Sequence, residues 1–341
     1  MGDYLLAVAG TGTLRLVDAS PSDVRKVSAL VDLRAADPTA GTEPLLTVRF
    51  VDRLDSGTLR LVGPRHATDG ERLLMRAGSG WARLPLGDGG EELVCERAAD
   101  EVPHLVDLLN LAALDRGTLP LHAAALVREG EGVLLLGWSQ GGKTEAVLAC
   151  TARGDQLVGD EWVHLNPTGV ARSIGYRMRV WAWQLEQSPH VWRQVPARER
   201  VRVRLVGAAL RAAPTRLHAP LRRRHGVYLQ PRQVFGDQLA AAAVIRRVVL
   251  LESHTSQDCL GLDADAHEIA ERACVSNRFE RRGLMESYAA WRFAVPGLRD
   301  ARLDTVDQRE LELARELLGS LPGRVVRHPH PVRLDRLAAL V

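Results

Sequence analysis

The run Gly137-Trp138-Ser139-Gln140-Gly141-Gly142-Lys143-Thr144 constrains this chain more than any other stretch. It has the form GxxxxGK followed by Thr, after an apolar segment and before one with helical spacing, which is the context the pattern requires. Glycines there let backbone N–H groups converge on phosphate oxygens, aided by the positive end of the following helix. Lys143 then supplies a compact charge to the β and γ phosphates, and Thr144 offers a hydroxyl oxygen to Mg²⁺. All eight residues, 137–144, are therefore candidate nucleotide-binding positions. Composition sharpens the point: of 45 basic residues only Lys26 and Lys143 are lysine. Where Arg serves everywhere else, a lysine in a glycine-rich turn calls for a chemical reason, since a planar guanidinium would not fit among the phosphates.

Around this loop the pattern predicts two apolar strands, 121–127 and 132–137, joined by a polar turn at 128–131. A helix over 144–153 follows, ended by Gly154, and then a strand over 157–165. Asp160-Glu161 follows the apolar run Leu157-Val158-Gly159, so at least one carboxylate is expected beside the loop, where strand ends of open α/β sheets gather ligands. Glu252, capping the apolar run 248–251, competes for the same role.

Upstream, short β-like runs at 5–8, 14–17, 46–51, 59–62, 73–75, 81–84 and 93–95 predict a small β-rich domain, with a linking helix over 101–114. Further strands are expected at 227–229 and 248–251, and helices at 264–274, 282–293 and 308–318. The fold expectation is α/β: a β-rich N-terminal domain over 1–117, then a P-loop nucleotide-binding domain over 118–341. The segment 177–204 mixes Arg177 and Arg179 with Trp181, Trp183 and Trp192. Such residues either stack on a ligand or form core tryptophans flanked by solvated arginines.

A chain of 341 residues with 46% apolar content can bury a substantial core, which excludes global disorder. The net charge of +3 gives no broad basic field, so no nucleic-acid partner is expected. No apolar stretch approaches the ~18 residues of a bilayer span, and the N-terminus has no secretory pattern, so the expected address is cytoplasmic and without a membrane partner. Cys95, Cys150, Cys259 and Cys274 are scattered, and are expected to be buried small hydrophobes rather than disulfides or zinc ligands.

His122 together with the run GVLLLGWSQGGKTEAVLACTARGDQLVGDEWV resembles the catalytic domain of the HPr serine kinase/phosphorylase family. The correspondence covers a His ahead of the paired strands, the loop followed by Glu145, and Arg153-Gly154 running to Asp160-Glu161. Thr144 stands where that family has Ser, and Glu161 where it has a second Asp. A weaker echo spans residues 222–252. The resemblance implies an HPr-kinase-like fold for the C-terminal domain and phosphoryl transfer from ATP, with Mg²⁺, to a hydroxyl. It makes Asp160 the general base, Lys143 and His122 further catalytic residues, and Thr144 and Glu161 the metal positions. The expected partners are a nucleotide and a peptide, protein or small-molecule hydroxyl acceptor, with homo-oligomerisation left open. The alternative is a regulatory or accessory P-loop ATPase with no dedicated acceptor.

Overall fold

The computed structural model describes the chain except for residues 9–10, 36–42, 88–91, 213, 215 and 217. It divides into two compact units, each assembled from separate stretches of chain. One comprises Met1–Leu121, His164–Pro167 and Cys274–Leu317; the other comprises His122–Val163, Thr168–Ala273 and Leu318–Val341. Helices and several sheets are mixed, as the α/β expectation requires. Among the described residues no helix is long and apolar enough to cross a membrane.

The unit containing the N-terminus carries a nine-stranded sheet in the order Leu33–Ala35, Gly2–Val8, Gly12–Ala19, Leu46–Val51, Glu92–Glu96, Gly80–Arg83, Leu73–Ala77, His66–Thr68, Arg60–Val62. Every upstream run predicted as a strand overlaps one of these. The helix Pro21–Ser28 was not expected, although its signal is local: Ser20 Oγ accepts from Asp23 N at 3.3 Å while Asp23 Oδ2 accepts from Ser20 N at 3.0 Å, a reciprocal cap with Pro21 in the first turn. The linking helix starts at Leu105, four residues after the expected Glu101, because His104 adopts φ 54° and acts as its N-cap.

Two buried polar clusters fix the helical part of this unit. Arg281, 5% exposed, forks onto Glu310 at 2.5 and 3.0 Å and reaches Asp307 at 2.8 Å. Ser287 Oγ lies 2.9 Å from both His66 Nε2 and His104 Nε2, and His104 Nδ1 is 3.2 Å from Asp107 Oδ2. That is the connectivity of a Ser-His-Asp triad. Ser287, however, is 1% exposed in mid-helix and bonds back to Gly283 O at 3.2 Å, so the cluster is a structural clamp.

In the other unit the hairpin appears as predicted: Ala124–Arg128 pairs antiparallel with Glu131–Gly137. Its first strand starts at Ala124 rather than Leu121, leaving His122 just before it. Glu129 at φ 53° and Gly130 at φ 84° form the two-residue turn, the left-handed geometry that matches strand twist. Register then decides which ends meet. Glu131–Gly137 runs parallel to Ala243–His254, with Gly137 opposite Leu251, and that strand runs parallel to Gly323–Pro329, with Leu251 opposite Val326. On the other side Ala125 lies opposite both Leu134 and Gly159, so Gln156–Gly159 also ends at this edge. One sheet edge therefore gathers the end of Gly137, the exit of Gly159, the entry to Ala124 and the end of Gly323–Pro329.

Val133 and Leu135 are fully buried against Ala146, Val147 and Cys150 of the helix Lys143–Thr151. Shortening such a side chain to Ala typically costs about 2–5 kcal/mol, so the strand that carries the loop is firmly seated. Of the cysteines, all free, Cys95 and Cys150 are buried, whereas Cys259 and Cys274 are only partly buried, against expectation; burial pushes the thiols of Cys95, Cys150 and Cys274 up to about 12.

Candidate functional site

Residues 137–144 bridge the strand Glu131–Gly137 and the helix Lys143–Thr151. Trp138 is 49% exposed, Gln140 takes φ 62°, and Gly141 N donates to Trp138 O at 2.8 Å, which closes the loop on itself. Gly142 is the helix N-cap at φ +105°, a conformation that favours glycine. Lys143 is 6% exposed, and its Nζ donates to Gly137 O at 2.9 Å and Trp138 O at 3.1 Å. The ammonium thus lies against the loop's own carbonyls.

The strand predicted over 157–165 is broken. It runs Gln156–Gly159 and resumes at Val163, and between these pieces Glu161 sits at φ 72°. The kink sends both carboxylates toward the loop instead of alternating them across a strand. Asp160 Oδ2 accepts from Thr144 Oγ1 at 2.8 Å. Glu161 Oε2 lies 3.3 Å from His122 Nε2, and the His122 ring packs on Trp162 with centroids 5.7 Å apart. The structure thus brings together His122, Lys143, Thr144, Asp160 and Glu161 from segments that the register delivers to one edge.

The electrostatics of the pair follow from burial. Asp160 is 1% exposed; burial first, then the neighbouring charge of Glu161, pushes its carboxyl up to about 7 against the pull of Thr144 and Lys143. Glu161 is also raised by burial, although its side chain is 27% exposed, and the charges of Lys143 and Arg179 oppose the rise. Asp160 Oδ1 is buried with no hydrogen-bond partner among the described residues. A buried carboxylate oxygen left unmatched beside a hydroxyl suits a divalent cation or a transferable proton.

Glu252, the competing carboxylate, is tied up elsewhere: Arg272 contacts it and Arg327 Nε lies 2.9 Å from its Oε2. Sequence reasoning missed His328, which the last strand delivers to the loop. It is fully buried, with Nε2 3.1 Å from Gly141 O and Nδ1 2.9 Å from Pro329 O. No local signal marks it, because it lies far along the chain from Lys143 and only the parallel register aligns the two.

No protein-family model matches this chain, and no curated protein does. Among solved structures, the Hpr(Ser) kinase/phosphatase from Coxiella burnetii aligns with 50% of this chain and 96% of its own, at 14% identity and a TM-score of 0.24. So distant a likeness leaves the chain's own residues to carry the functional argument.

Proposed function

We propose that this chain is an ATP- and Mg²⁺-dependent P-loop kinase that transfers the γ-phosphoryl group to a hydroxyl of a peptide, protein or small-molecule acceptor. The observation that carries this reading is the Thr144–Asp160 contact at 2.8 Å, with the second Asp160 oxygen buried and unmatched next to a loop built like a phosphate cradle. Backbone N–H groups of residues 138–144 and the N-terminus of the following helix hold the phosphates, and Lys143 leaves its loop carbonyls for the β and γ oxygens. Mg²⁺, held by Thr144 and Glu161, supplies charge neutralisation when bound.

Asp160 is the general base. Its raised proton affinity places it near the working range for taking a proton from an alcohol at neutral pH. The acceptor oxygen bonds to phosphorus, the bond to the β–γ bridging oxygen breaks, ADP departs, and the acceptor's proton remains on Asp160. His122 holds Glu161 in place through the 3.3 Å contact and acts as a positioning residue.

The test uses labelled ATP and Mg²⁺ with a panel of Ser and Thr peptides and polyols. A kinase transfers label to an acceptor and hydrolyses ATP negligibly without one. Steady hydrolysis that no acceptor changes would instead support the accessory ATPase.

A further inference from the structure

The buried His328 takes no part in the phosphoryl-transfer steps, yet it touches the phosphate loop at its pair of glycines. In the strand Gly323–Pro329, Val326 lies opposite Leu251, which lies opposite Gly137, so this level marks the end of the strand that feeds the loop. His328 is two residues further along and on the same face as Val326, the face that packs with Ala146 and Val147 of the helix after the loop. The strand therefore carries the imidazole past the sheet edge to the loop itself. There Nε2 lies 3.1 Å from Gly141 O, and a Cβ on Gly142 would lie 2.4 Å from that same nitrogen. A carbonyl oxygen only accepts, so the contact is a hydrogen bond when Nε2 carries the proton.

The peptide unit joining Gly141 to Gly142 is planar and trans, with its C=O and N–H pointing opposite ways. Holding Gly141 O against His328 thus turns Gly142 N–H away from the ring. Gly142 is buried at the N-cap of the helix Lys143–Thr151, and its N–H donates to no group among the described residues. Buried backbone donors are almost always matched, and one left open at a helix N-terminus inside this loop suits a phosphate oxygen. The neighbouring Gly141 N–H is already spent on Trp138 O. Turning this one peptide over requires rotation only about bonds of Gly141 and Gly142, where no Cβ resists. Released from His328, it can present a carbonyl oxygen to the phosphates in place of the donor.

We propose that His328 is a positioning residue for the nucleotide's phosphates: its Nε2–H anchors the Gly141–Gly142 peptide so that Gly142 N–H is held ready for a phosphate oxygen. This rests on the kinase reading above.

The experiment compares the full chain with His328→Leu, which keeps bulk and loses the donor, and with His328→Gln, whose amide restores one. Calorimetry with MgATP and with magnesium tripolyphosphate should show His328→Leu binding both ligands about 10- to 100-fold more weakly, the worth of a hydrogen bond to a charged group, and His328→Gln staying within about threefold of the unaltered chain. A role in packing alone gives no such rescue. Equal affinity in all three chains, equal loss in both variants, or a loss confined to MgATP overturns the proposal while leaving the kinase reading intact, because the unaltered chain still binds. If His328→Leu does not fold, the ring itself decides. Nitrogen NMR of the full chain carrying isotope-labelled histidine, with the His328 signal identified by its absence from His328→Gln, should show a proton on Nε2, and an unprotonated Nε2 overturns the proposal. If the unaltered chain binds neither ligand, the kinase reading falls and this one with it.

Discussion

Gly142→Ala probes the junction on which the phosphate site depends. The backbone there sits at φ +105°, and an added Cβ would lie 2.4 Å from His328 Nε2 and 2.8 Å from Cε1. A left-handed conformation costs a residue with a Cβ about 1–2 kcal/mol. His328 is fully buried with the carbonyl oxygens of Gly141 and Pro329 against its two ring nitrogens, so it cannot swing aside without giving up those contacts. Such overpacking typically costs about 1–3 kcal/mol. The two effects together give about 2–5 kcal/mol, a large fraction of the roughly 5–15 kcal/mol that holds an ordinary domain folded. Urea unfolding followed by circular dichroism should show the unfolding free energy fall by that amount, with a lower midpoint, and nucleotide affinity should fall with it. Because the steric part needs His328, a cycle with His328→Ala should be non-additive by about 1 kcal/mol or more, the double variant being less damaged than the sum of the singles. A Gly142→Ala chain with unchanged midpoint and affinity, or strictly additive singles, would refute the packing argument.

Asp160→Asn should lower phosphoryl transfer by about 10²–10⁴-fold while nucleotide affinity stays within a few fold; if Mg²⁺-dependent nucleotide binding disappears instead, Asp160 is a metal ligand and not the base. Because burial raises the Asp160 carboxyl from 3.8 to about 7, the folded chain holds a proton there that the unfolded chain releases. Its contribution to stability is therefore full at low pH and lost as pH rises through that window, and unfolding of Asp160→Asn measured against pH should show a flatter slope. The transfer rate should run the other way, rising with pH until Asp160 is ionised; a rate that is flat across this range argues against the base. In the other unit, Arg281→Ala strands Glu310 in the core and should cost about 3–5 kcal/mol, read as a lower thermal midpoint. An unchanged midpoint would show that water enters to solvate the carboxylate.

What the sequence displayed and what it concealed divide along physical lines. Leu46–Val51 and the hairpin before the loop were legible because their apolar runs end at turn residues, and the loop because its chemistry admits few alternatives. The break at Asp160–Trp162 was not, because Leu157 to Leu165 is apolar enough to read as one strand; what bends it is Glu161 at φ 72°, a backbone choice without a composition signal. The helix Pro21–Ser28 could have been found from Ser20, Pro21 and Asp23 alone. His328 could not, since its partner is set by register with Ala243–His254. The mixture of arginine and tryptophan over 177–204 was visible as composition, but not which ring stacks on an arginine, as Trp181 does on Arg179, and which packs against the core, as Trp192 does.

Calorimetric titration of MgATP into the intact chain and into Lys143→Ala tests the central claim most directly. The account predicts saturable one-to-one binding that requires Mg²⁺ and is lost when the ammonium is removed. Absence of binding to the unaltered chain, or equal binding to both, would contradict it.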